Sequence, residues 1–203
     1  MLNDIIVFNI REYLSGKDDK VLGEDELQQV LSEFSCEKNT DVERFLKEQS
    51  IEFTKKNQSV TYLVFANKDA ALVGYFTLTI KPISVNAENF SNTMKRKIAR
   101  VSELDAENGT YTLSAYLIAQ MGKNFSNDAN ERITGEQLMW AALDTIKELQ
   151  YMAGGMVIFL ETENNEKLMK FYEEKNGFKH FDTKEVKAGT DVAHTLIQLL
   201  KIM

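Results

Sequence analysis

The chain has 203 residues, of which 43% are hydrophobic and 27% are charged. These proportions are typical of a globular protein and exclude a disordered or a fibrous one. The length predicts a single domain over residues 1–203, because domains usually hold about 100 to 200 residues. The formal net charge of −7 argues against a protein that binds nucleic acid mainly by electrostatics, although a local basic patch is compatible with it.

The cysteine and histidine content leaves little room for a metal site. Cys36 is the only cysteine, so an intramolecular disulfide and a cysteine-rich zinc site are both excluded. The two histidines are His180 and His194. No stretch approaches the roughly 20 apolar residues that span a bilayer, and residues 1–12 lack the basic start and apolar run of an export signal. We therefore expect a soluble cytoplasmic protein with no metal and no membrane partner.

One strand and two helices are predicted in the N-terminal part. Residues 5–10 are apolar and β-branched, which favours a strand. From Glu24, apolar residues recur with the spacing of an amphipathic helix. These residues are Leu27, Val30, Leu31 and Phe34. A second helix is expected to begin at Thr40 or Asp41, either of which can cap it. Its inward side chains are expected to be Val42, Phe45, Leu46 and Phe53, with an outer ion pair between Glu43 and Lys47.

A β-hairpin is expected next. Residues 60–66 and 71–80 are rich in β-branched and aromatic side chains, and the polar turn 67–69 separates them. A polar stretch with a cluster of basic residues follows Pro82 and predicts a short helix. The basic residues are Lys95, Arg96, Lys97 and Arg100.

Strands and helices alternate in the second half. Strands are predicted over 111–121, 156–161, 178–181 and 195–202. One helix is predicted from Gly135 to the pair Gly154-Gly155, and another over 165–176, ending at Gly177. The first of these helices places Leu138, Ala142, Ile146 and Leu149 on one face. This order predicts a mixed α/β architecture.

The most informative segment joins the strand 111–121 to the helix that follows Gly135. The helix begins with the sequence Arg132-Ile133-Thr134-Gly135-Glu136-Gln137. Glycine permits close approach of a ligand, and the unpaired N–H groups and dipole of a helix start favour an anion. The segment therefore predicts a pyrophosphate cradle, to which Arg132 can add a charge-assisted contact. The alternative is structural: Gly135 permits a turn, Thr134 caps the helix and Arg132 is solvated.

A second informative segment is the helix over 165–176. Asn165, Leu168 and Tyr172 are spaced i, i+3 and i+7, so an amide and a phenol share one helix face. The alternative interpretation is that Tyr172 is a half-buried core residue with a satisfied hydroxyl.

The order and separation of these two segments resemble the GNAT superfamily of acyl-CoA N-acyltransferases. The segment 132–137 looks like its acetyl-CoA motif Q/R-x-x-G-x-G/A, with Gln137 where glycine or alanine is usual. The segment 165–178 looks like its motif N-x-x-A-x-x-F-Y…G-F, with Leu168 in place of alanine. Residues 34–36, 45–46, 61–65 and 73–78 extend the resemblance to the GNAT branch that includes toxins acetylating aminoacyl-tRNA.

The resemblance implies a fold, a cofactor and a set of site residues. The implied fold is α/β, with a mixed, mostly antiparallel central sheet flanked by helices on both faces. The implied co-substrate is acetyl-CoA. Its pantetheine would meet the backbone N–H groups near Met121 and Lys123. Its pyrophosphate would meet Arg132 and the amides of Thr134, Gly135, Glu136 and Gln137. Asn165 and Phe171 complete the expected cofactor contacts.

The resemblance also implies a mechanism. An acceptor amine attacks the thioester directly in a ternary complex, and Tyr172 is the general acid. A tyrosine with a reference pKa near 10 stays protonated at neutral pH and can protonate a departing thiolate. The base is not assigned: Glu33, Glu48, Glu52 and water are equal candidates. Cys36 as an acyl-carrying nucleophile is the weaker alternative, because no pattern attaches a histidine to it.

The acceptor and the partners stay open at the level of the sequence. A small molecule, a protein amine and an aminoacyl-tRNA are all compatible with the patterns. The toxin-like branch implies a ribbon-helix-helix antitoxin, and a homodimer is a family habit. The basic cluster 95–100, with Lys55 and Lys56, is either a solvated surface or a contact to RNA or to the 3′-phosphate of the cofactor. The competing functional class is a non-catalytic CoA-binding or protein-interaction module in which Gln137 has altered the cradle.

Overall fold

The computed structural model describes residues 4–14, 23–186 and 194–203. Its helices are α1 (Ile10–Leu14), α2 (Glu24–Ser32), α3 (Thr40–Arg44), α4 (Ser50–Lys55), α5 (Asn92–Ile98), α6 (Gly135–Ala153) and α7 (Glu166–Met169). Its strands are β1 (Ile5–Asn9), β2 (Val60–Ala66), β3 (Leu72–Asn86), β4 (Leu104–Asp105), β5 (Thr110–Lys123), β6 (Val157–Glu163), β7 (Lys179–Val186) and β8 (His194–Ile202). Two π-helical turns, Phe45–Gln49 and Lys170–Lys175, and two 3₁₀ segments, Ala87–Asn89 and Ser126–Arg132, complete the list.

The strands form a mixed sheet flanked by helices, in the order β1-β2-β3-β5-β6-β8-β7, with β4 paired to β5. β5 and β6 are parallel. The other strand pairs whose register is described are antiparallel. The mixed, mostly antiparallel α/β fold expected from the sequence is therefore confirmed.

The chain divides into two compact units. The first unit comprises Met1–Thr79 and Ile118–Glu148, and the second comprises Ile80–Leu117 and Leu149–Met203. β3 and β5 contribute residues to both. The description of 1–203 as a single domain stays a prediction.

The first unit has its core around the predicted hairpin and the early helices. β1, β2 and β3 pair antiparallel, so the hairpin predicted for residues 60–66 and 71–80 is confirmed. The buried cluster includes the helical side chains Leu27, Leu31 and Leu46 and the strand residue Tyr75. The Tyr75 hydroxyl donates to the Val42 carbonyl at 2.6 Å, so the aromatic core is tied to the start of α3.

The second unit has a separate core. Its buried cluster combines Val85, Leu113, Phe159, Phe181 and Leu200, which come from five strands. The predicted order of strand, helix, strand, helix, strand, strand is confirmed in the second half of the chain. α6 ends at the two glycines as expected, since both have positive φ, at +75° and +91°.

Three expectations for individual elements are wrong. Asn39 caps α3 in place of Thr40 or Asp41, because its side chain accepts the Val42 N–H at 3.2 Å and Thr40 is already helical. Phe53 is 37% exposed, since the π-helical turn inserts a residue and rotates the following side chains off the inward stripe. β3 continues past Pro82 to Asn86.

The extension of β3 through a proline has a simple cause. The register between β2 and β3 ends at Leu78. Pro82 lies beyond that point and is exposed. Its missing N–H therefore removes no hydrogen bond to β2, and a strand tolerates proline under this condition.

The ion pair of Glu43 and Lys47 is confirmed, at 2.7 Å.

Candidate active site

The end of β5 is fixed by a buried asparagine that follows it. Asn124 is 3% exposed. Its Oδ1 accepts the N–H groups of Ser35 at 2.9 Å and Ser126 at 3.0 Å, while its Nδ2 donates to the carbonyls of Leu72 at 2.8 Å and Glu33 at 3.3 Å. One side chain thus ties the end of β5 to the start of β3 and to the loop after α2.

Close backbone packing also holds this end of β5. A Cβ on Gly122 would lie 2.5 Å from the Val42 Cγ1, and a Cβ on Gly74 would lie 2.8 Å from the Gly122 carbonyl oxygen. Neither contact is possible for a larger residue without a shift of the neighbours. The two predicted pantetheine residues, Met121 and Lys123, therefore belong to a firmly positioned strand end.

Lys123 lies in a basic environment. Burial lowers the pKa of its ammonium group, and the charge of Lys38 lowers it further. Lys38 in turn lies over the ring of Phe125, with 4.6 Å between the Nζ and the ring centroid. This cluster favours anions near the end of β5. The expected contact of Lys123 uses its backbone N–H and stays a prediction.

The polar segment between β5 and α6 is wound tightly. It forms the 3₁₀ segment Ser126–Arg132, and Asn127 and Asp128 inside it adopt the left-handed conformation with φ of 50° and 56°. Asparagine and aspartate enter this region more readily than other side chains. The stretch is thus an ordered connection that carries the chain to Arg132.

The start of α6 is closed by a reciprocal capping box. The Thr134 Oγ1 accepts the Gln137 N–H at 3.1 Å, and the Gln137 Oε1 accepts the Thr134 N–H at 2.8 Å. The side chain that departs from the family motif therefore has a structural role. Two of the amides expected to bind pyrophosphate are hydrogen-bonded within the helix start, whereas the Gly135 N–H has no partner among the described residues.

Arg132 is also engaged within the first unit. Its Nη1 forms an ion pair with the Oδ2 of Asp69 in the turn between β2 and β3. Both side chains are partly exposed, at 40% and 45%. A surface pair of this kind is worth at most about 1 kcal/mol, so a phosphate can compete for the guanidinium.

The second motif begins at a helix cap. The Asn165 Oδ1 accepts the N–H of Lys167 at 2.9 Å and of Leu168 at 3.4 Å. The amide nitrogen of the same side chain stays available as a donor, because only its oxygen takes part in the cap. The helix then passes into the π-helical turn Lys170–Lys175, which contains Phe171 and Tyr172. Such turns are frequent at functional sites.

Tyr172 is held between two aromatic rings. Its ring lies edge-on to Phe171, with centroids 5.1 Å apart, and to Phe178, with centroids 6.1 Å apart. Burial raises the pKa of the phenol to about 12, and a hydrogen bond with the side chain of Thr162 opposes this rise. Tyr172 is therefore protonated throughout the physiological range. Its half-burial agrees with both interpretations of the sequence.

The glycine of the second motif closes the helix around Tyr172. The Phe178 N–H donates to the Tyr172 carbonyl at 3.0 Å. The Asn176 Nδ2 donates to the Phe171 carbonyl at 2.7 Å. Gly177 makes this turn with φ of +69°, where a larger side chain would be strained.

The carboxylates offer no base that stands apart from the rest. Glu33 and Glu48 are exposed, and Glu52 pairs with Lys56 at 3.2 Å. Glu43, which the sequence predicted only as the partner of Lys47, accepts the Cys36 N–H at 2.7 Å, and this bond lowers the pKa of its carboxyl. Burial raises the pKa of the Cys36 thiol, which disfavours the thiolate that a nucleophile needs.

The described part of the chain holds no group of three or more His, Cys, Asp or Glu side chains arranged to bind a metal. Within the same residues, no helix is both long and apolar enough to cross a membrane.

Comparison with known proteins gives structural matches only. No family model and no curated protein sequence matches the chain. AtaT complexed with acetyl-methionyl-tRNAfMet superposes with a TM-score of 0.60 at 15% identity, over 96% of this chain and 94% of that one. A tyrosine-to-phenylalanine mutant of KacT gives 0.58 at 15% identity, over 97% and 95%. AtaTR bound with acetyl-CoA gives 0.54 at 15% identity, over 99% and 94%.

The chain has the GNAT-like fold of these toxins. The resemblance noted in the sequence is thereby confirmed at the level of the fold. The roles of Met121, Lys123, Arg132, Thr134, Gly135, Glu136, Gln137, Asn165, Phe171 and Tyr172 stay predictions.

The sequence missed Asn124 and Asp69, and it predicted Glu43 only as the partner of Lys47. Asn124 and Asp69 bond to residues distant in sequence, whereas Cys36, the second partner of Glu43, is seven residues away. The one local signal for Asn124 was its position directly after a strand and before an aromatic residue.

Proposed function

We propose that the chain is an N-acetyltransferase that moves an acetyl group from acetyl-CoA to a primary amine. The observation that carries this proposal is Tyr172, a protonated phenol held edge-on between two rings in a chain with the GNAT-like fold. The structure of AtaTR bound with acetyl-CoA supports the choice of cofactor at the level of the fold. The reaction belongs in the cytoplasm, where the single cysteine stays a thiol.

The proposed cofactor contacts follow the two motifs. Backbone N–H groups near Met121 and Lys123 bind the pantetheine and polarise the thioester carbonyl. The helix start at Gly135 and Glu136 binds the pyrophosphate, and Arg132 exchanges Asp69 for a phosphate oxygen. The Asn165 amide nitrogen and the Phe171 side chain complete the binding.

In the proposed reaction, the acceptor nitrogen forms a bond to the thioester carbon and the bond from that carbon to sulfur breaks. The nitrogen loses a proton to water or to a carboxylate not yet assigned. The departing thiolate receives a hydrogen bond from Tyr172. Complete transfer from a phenol of pKa about 12 to a thiolate of pKa near 8.5 is uphill by about 5 kcal/mol. Tyr172 thus acts chiefly by hydrogen-bond donation as negative charge develops on sulfur.

The acceptor is proposed by class only. Small molecules, protein amines and aminoacyl-tRNA remain candidates, and the complex of AtaT with acetyl-methionyl-tRNAfMet favours the last. A tRNA acceptor would find unpaired cations on α5, because none of its basic residues forms an ion pair among the described residues. A homodimer and an antitoxin partner are proposed on the resemblance alone.

A second candidate function has its own support. The capping box of Thr134 and Gln137 occupies two of the expected phosphate-binding amides, and Asp69 occupies Arg132. These contacts favour a non-catalytic CoA-binding or protein-interaction module on the same fold.

A thiol-release assay distinguishes the two functions. The purified chain is incubated with acetyl-CoA and a panel of polyamines, lysine peptides and charged tRNAs, and free CoA is measured. Acetylation of at least one acceptor, verified by mass spectrometry, is expected of the enzyme. Binding of acetyl-CoA without release on the whole panel supports the module.

A further inference from the structure

A small groove of the second unit is lined by basic residues from three elements. Its volume is about 190 Å³. Lys97 comes from α5, Lys179 from β7 and Lys201 from β8, and none of the described residues that line the groove is acidic. Gly177 is the one member of the two motif segments among these lining residues. The groove is therefore separate from the proposed cofactor contacts.

The elements around the groove are fixed to one another. Ile98 of α5 is fully buried in the core of the second unit. The Asn89 Nδ2 donates to the Phe181 carbonyl at 2.6 Å and ties the segment before α5 to β7. Lys179 is paired with Leu200 in the register between β7 and β8. The groove is thus formed by the fold itself, before any ligand binds.

Two of the three lysines have no ionic partner. Lys97 and Lys179 are exposed, and neither forms an ion pair with a described residue. The Lys201 Nζ donates to the Asn176 carbonyl at 2.6 Å and lies 5.8 Å from the centroid of the Phe178 ring. Positive charge is therefore gathered at the groove, and an anion bound there would be attracted by it.

The other lining residues describe the size and polarity of a ligand. Two hydroxyls, of Ser91 and Thr93, can donate hydrogen bonds, and three side chains are apolar, those of Met94, Leu200 and Ile202. The volume is below the roughly 300–1,000 Å³ of pockets that enclose drug-sized ligands. The groove therefore suits one anionic group with a small organic part.

We propose that this groove binds the phosphate group of a small phosphate monoester, with Lys97 and Lys179 as its charge partners. Such a group carries a charge of about −1.5 to −2 at pH 7 and three strong acceptor oxygens. It therefore matches two ammonium groups and two hydroxyls better than a carboxylate, which carries a single charge. The remaining basic residues of α5 do not line the groove, so this site differs from an RNA surface along that helix.

The test is a chemical-shift titration of the full chain, labelled with ¹⁵N, with inorganic phosphate, glycerol 3-phosphate and acetate. The ionic strength is held constant, because salt screens exposed charges. We expect saturable shifts at the amides of Thr93 and Gly177 with both phosphates and none with acetate. Lys97→Gln and Lys179→Gln should each weaken the affinity for glycerol 3-phosphate at least about three-fold, and the double variant at least about 10-fold.

A matched control is available in the same unit. Lys81 is an exposed lysine of β3 that does not line the groove. Lys81→Gln removes the same charge from the chain and should leave the affinity for glycerol 3-phosphate unchanged. Because all of these positions are exposed, the variants are expected to fold as the wild type does.

Three results with the small probes would overturn the inference. They are the absence of saturable phosphate binding, binding of acetate as tight as that of phosphate, and an equal loss of affinity in Lys81→Gln and Lys97→Gln.

Two further arms exclude other sources of phosphate. If oligoadenylate displaced glycerol 3-phosphate at a lower concentration of phosphate groups, the groove would belong to a nucleic-acid surface. If Lys97→Gln weakened the binding of CoA and not of dephospho-CoA, it would belong to the cofactor. Either result would overturn the inference. All of these readouts measure binding alone, so a failure here leaves the proposed acetyl transfer untouched.

Discussion

The two motif segments use their polar groups in opposite ways. In 132–137, the Thr134 and Gln137 amides and the Arg132 guanidinium bond to neighbours within the first unit. In 165–178, the phenol of Tyr172 keeps its proton, and its ring is held by Phe171 and Phe178 of the second unit. A match to a phosphate-binding motif can therefore serve helix capping at the same time, whereas the Tyr172 phenol keeps the proton that its proposed role as an acid requires.

The two units also differ in charge. The first carries 12 basic and 19 acidic residues, and the second carries 12 of each. The whole formal net charge of −7 thus belongs to the first unit. The negative net charge therefore argues against binding of a polyanionic acceptor by the first unit only. It does not apply to the second unit, which carries α5 and Tyr172.

The largest effect is expected at Tyr172. Tyr172→Phe removes the donor to the departing thiolate and keeps the ring contacts with Phe171 and Phe178. We expect kcat to fall at least about 100-fold, as for a general acid, with less than a two- to three-fold change, roughly, in acetyl-CoA affinity. Steady-state kinetics and calorimetry measure the two quantities. A wild-type kcat in Tyr172→Phe would mean that the segment 165–178 supplies no acid, and the contrast with the segment 132–137 would no longer hold.

Asn124 is expected to be the main stability determinant next to the first segment. Asn124→Ala leaves the N–H of Ser35 and the carbonyl of Leu72 without their partner, and each buried unsatisfied group costs about 1–3 kcal/mol. Chemical denaturation should show a loss of at least about 2 kcal/mol. The control Asn92→Ala, at an exposed position of α5, should stay within about 0.5 kcal/mol. Equal effects of the two substitutions would contradict the role of Asn124.

Gly135 tests whether the helix start binds phosphate in spite of its capping box. Gly135→Asp adds a side chain and a negative charge where the pyrophosphate is proposed to lie. We expect acetyl-CoA affinity to fall at least about 10-fold, or about 1.4 kcal/mol. Gly23→Asp adds the same charge at the N-cap of α2 and should leave the affinity unchanged. An unaltered affinity in Gly135→Asp would mean that the cradle lies elsewhere.

Gln137 separates capping from cofactor binding. Gln137→Ala removes the acceptor of the Thr134 N–H and should cost about 0.5–1 kcal/mol of stability. The freed amide should then raise acetyl-CoA affinity by about three-fold. Gln28→Ala, on the exposed face of α2, makes the same chemical change without either effect. A fall in affinity would show that the Gln137 side chain itself contacts the cofactor.

The smallest effect concerns pH and Glu43. Its carboxyl pKa is lowered in the folded chain by the Cys36 N–H and then by Lys47. The stabilisation is therefore complete above the unfolded pKa, near 4.3, and is lost as the pH falls through the folded value. Glu43→Gln should cost less than about 1 kcal/mol at pH 7 and flatten the acid limb of stability against pH. The control Glu48→Gln, at a nearby exposed position, should show the wild-type dependence of stability on pH. A wild-type dependence in Glu43→Gln as well would contradict this account.

The order of the longer elements followed from composition and spacing, because β2, β3 and β5 are rich in β-branched and aromatic residues and α6 has a continuous apolar face. The five-residue helix α1 was not predicted. The π-helical turns could not be predicted from the sequence. One inserted residue does not visibly change the spacing of apolar side chains, and its position is decided by packing in the folded chain. Phe53 was placed inward for this reason, although Ile51 and Thr54 occupy the buried positions. β4, with two residues, is too short to leave a pattern.

The site was predictable only where its groups are close in sequence. Thr134, Gly135 and Gln137 lie within one helix turn, and Asn165 and Tyr172 lie on one helix, so their motifs could be recognised. The pairing of Arg132 with Asp69 spans 63 positions, and the hydrogen bond of Asn124 to the Leu72 carbonyl spans 52. Contacts of this kind arise from tertiary structure and carry no local signal.

The central claim is that this chain binds acetyl-CoA as its acyl donor. It is tested most directly by isothermal titration of the purified protein with acetyl-CoA, after a check for cofactor carried through purification. The account predicts saturable binding of about one acetyl-CoA per chain. No binding, in a preparation free of carried-over cofactor, would contradict it.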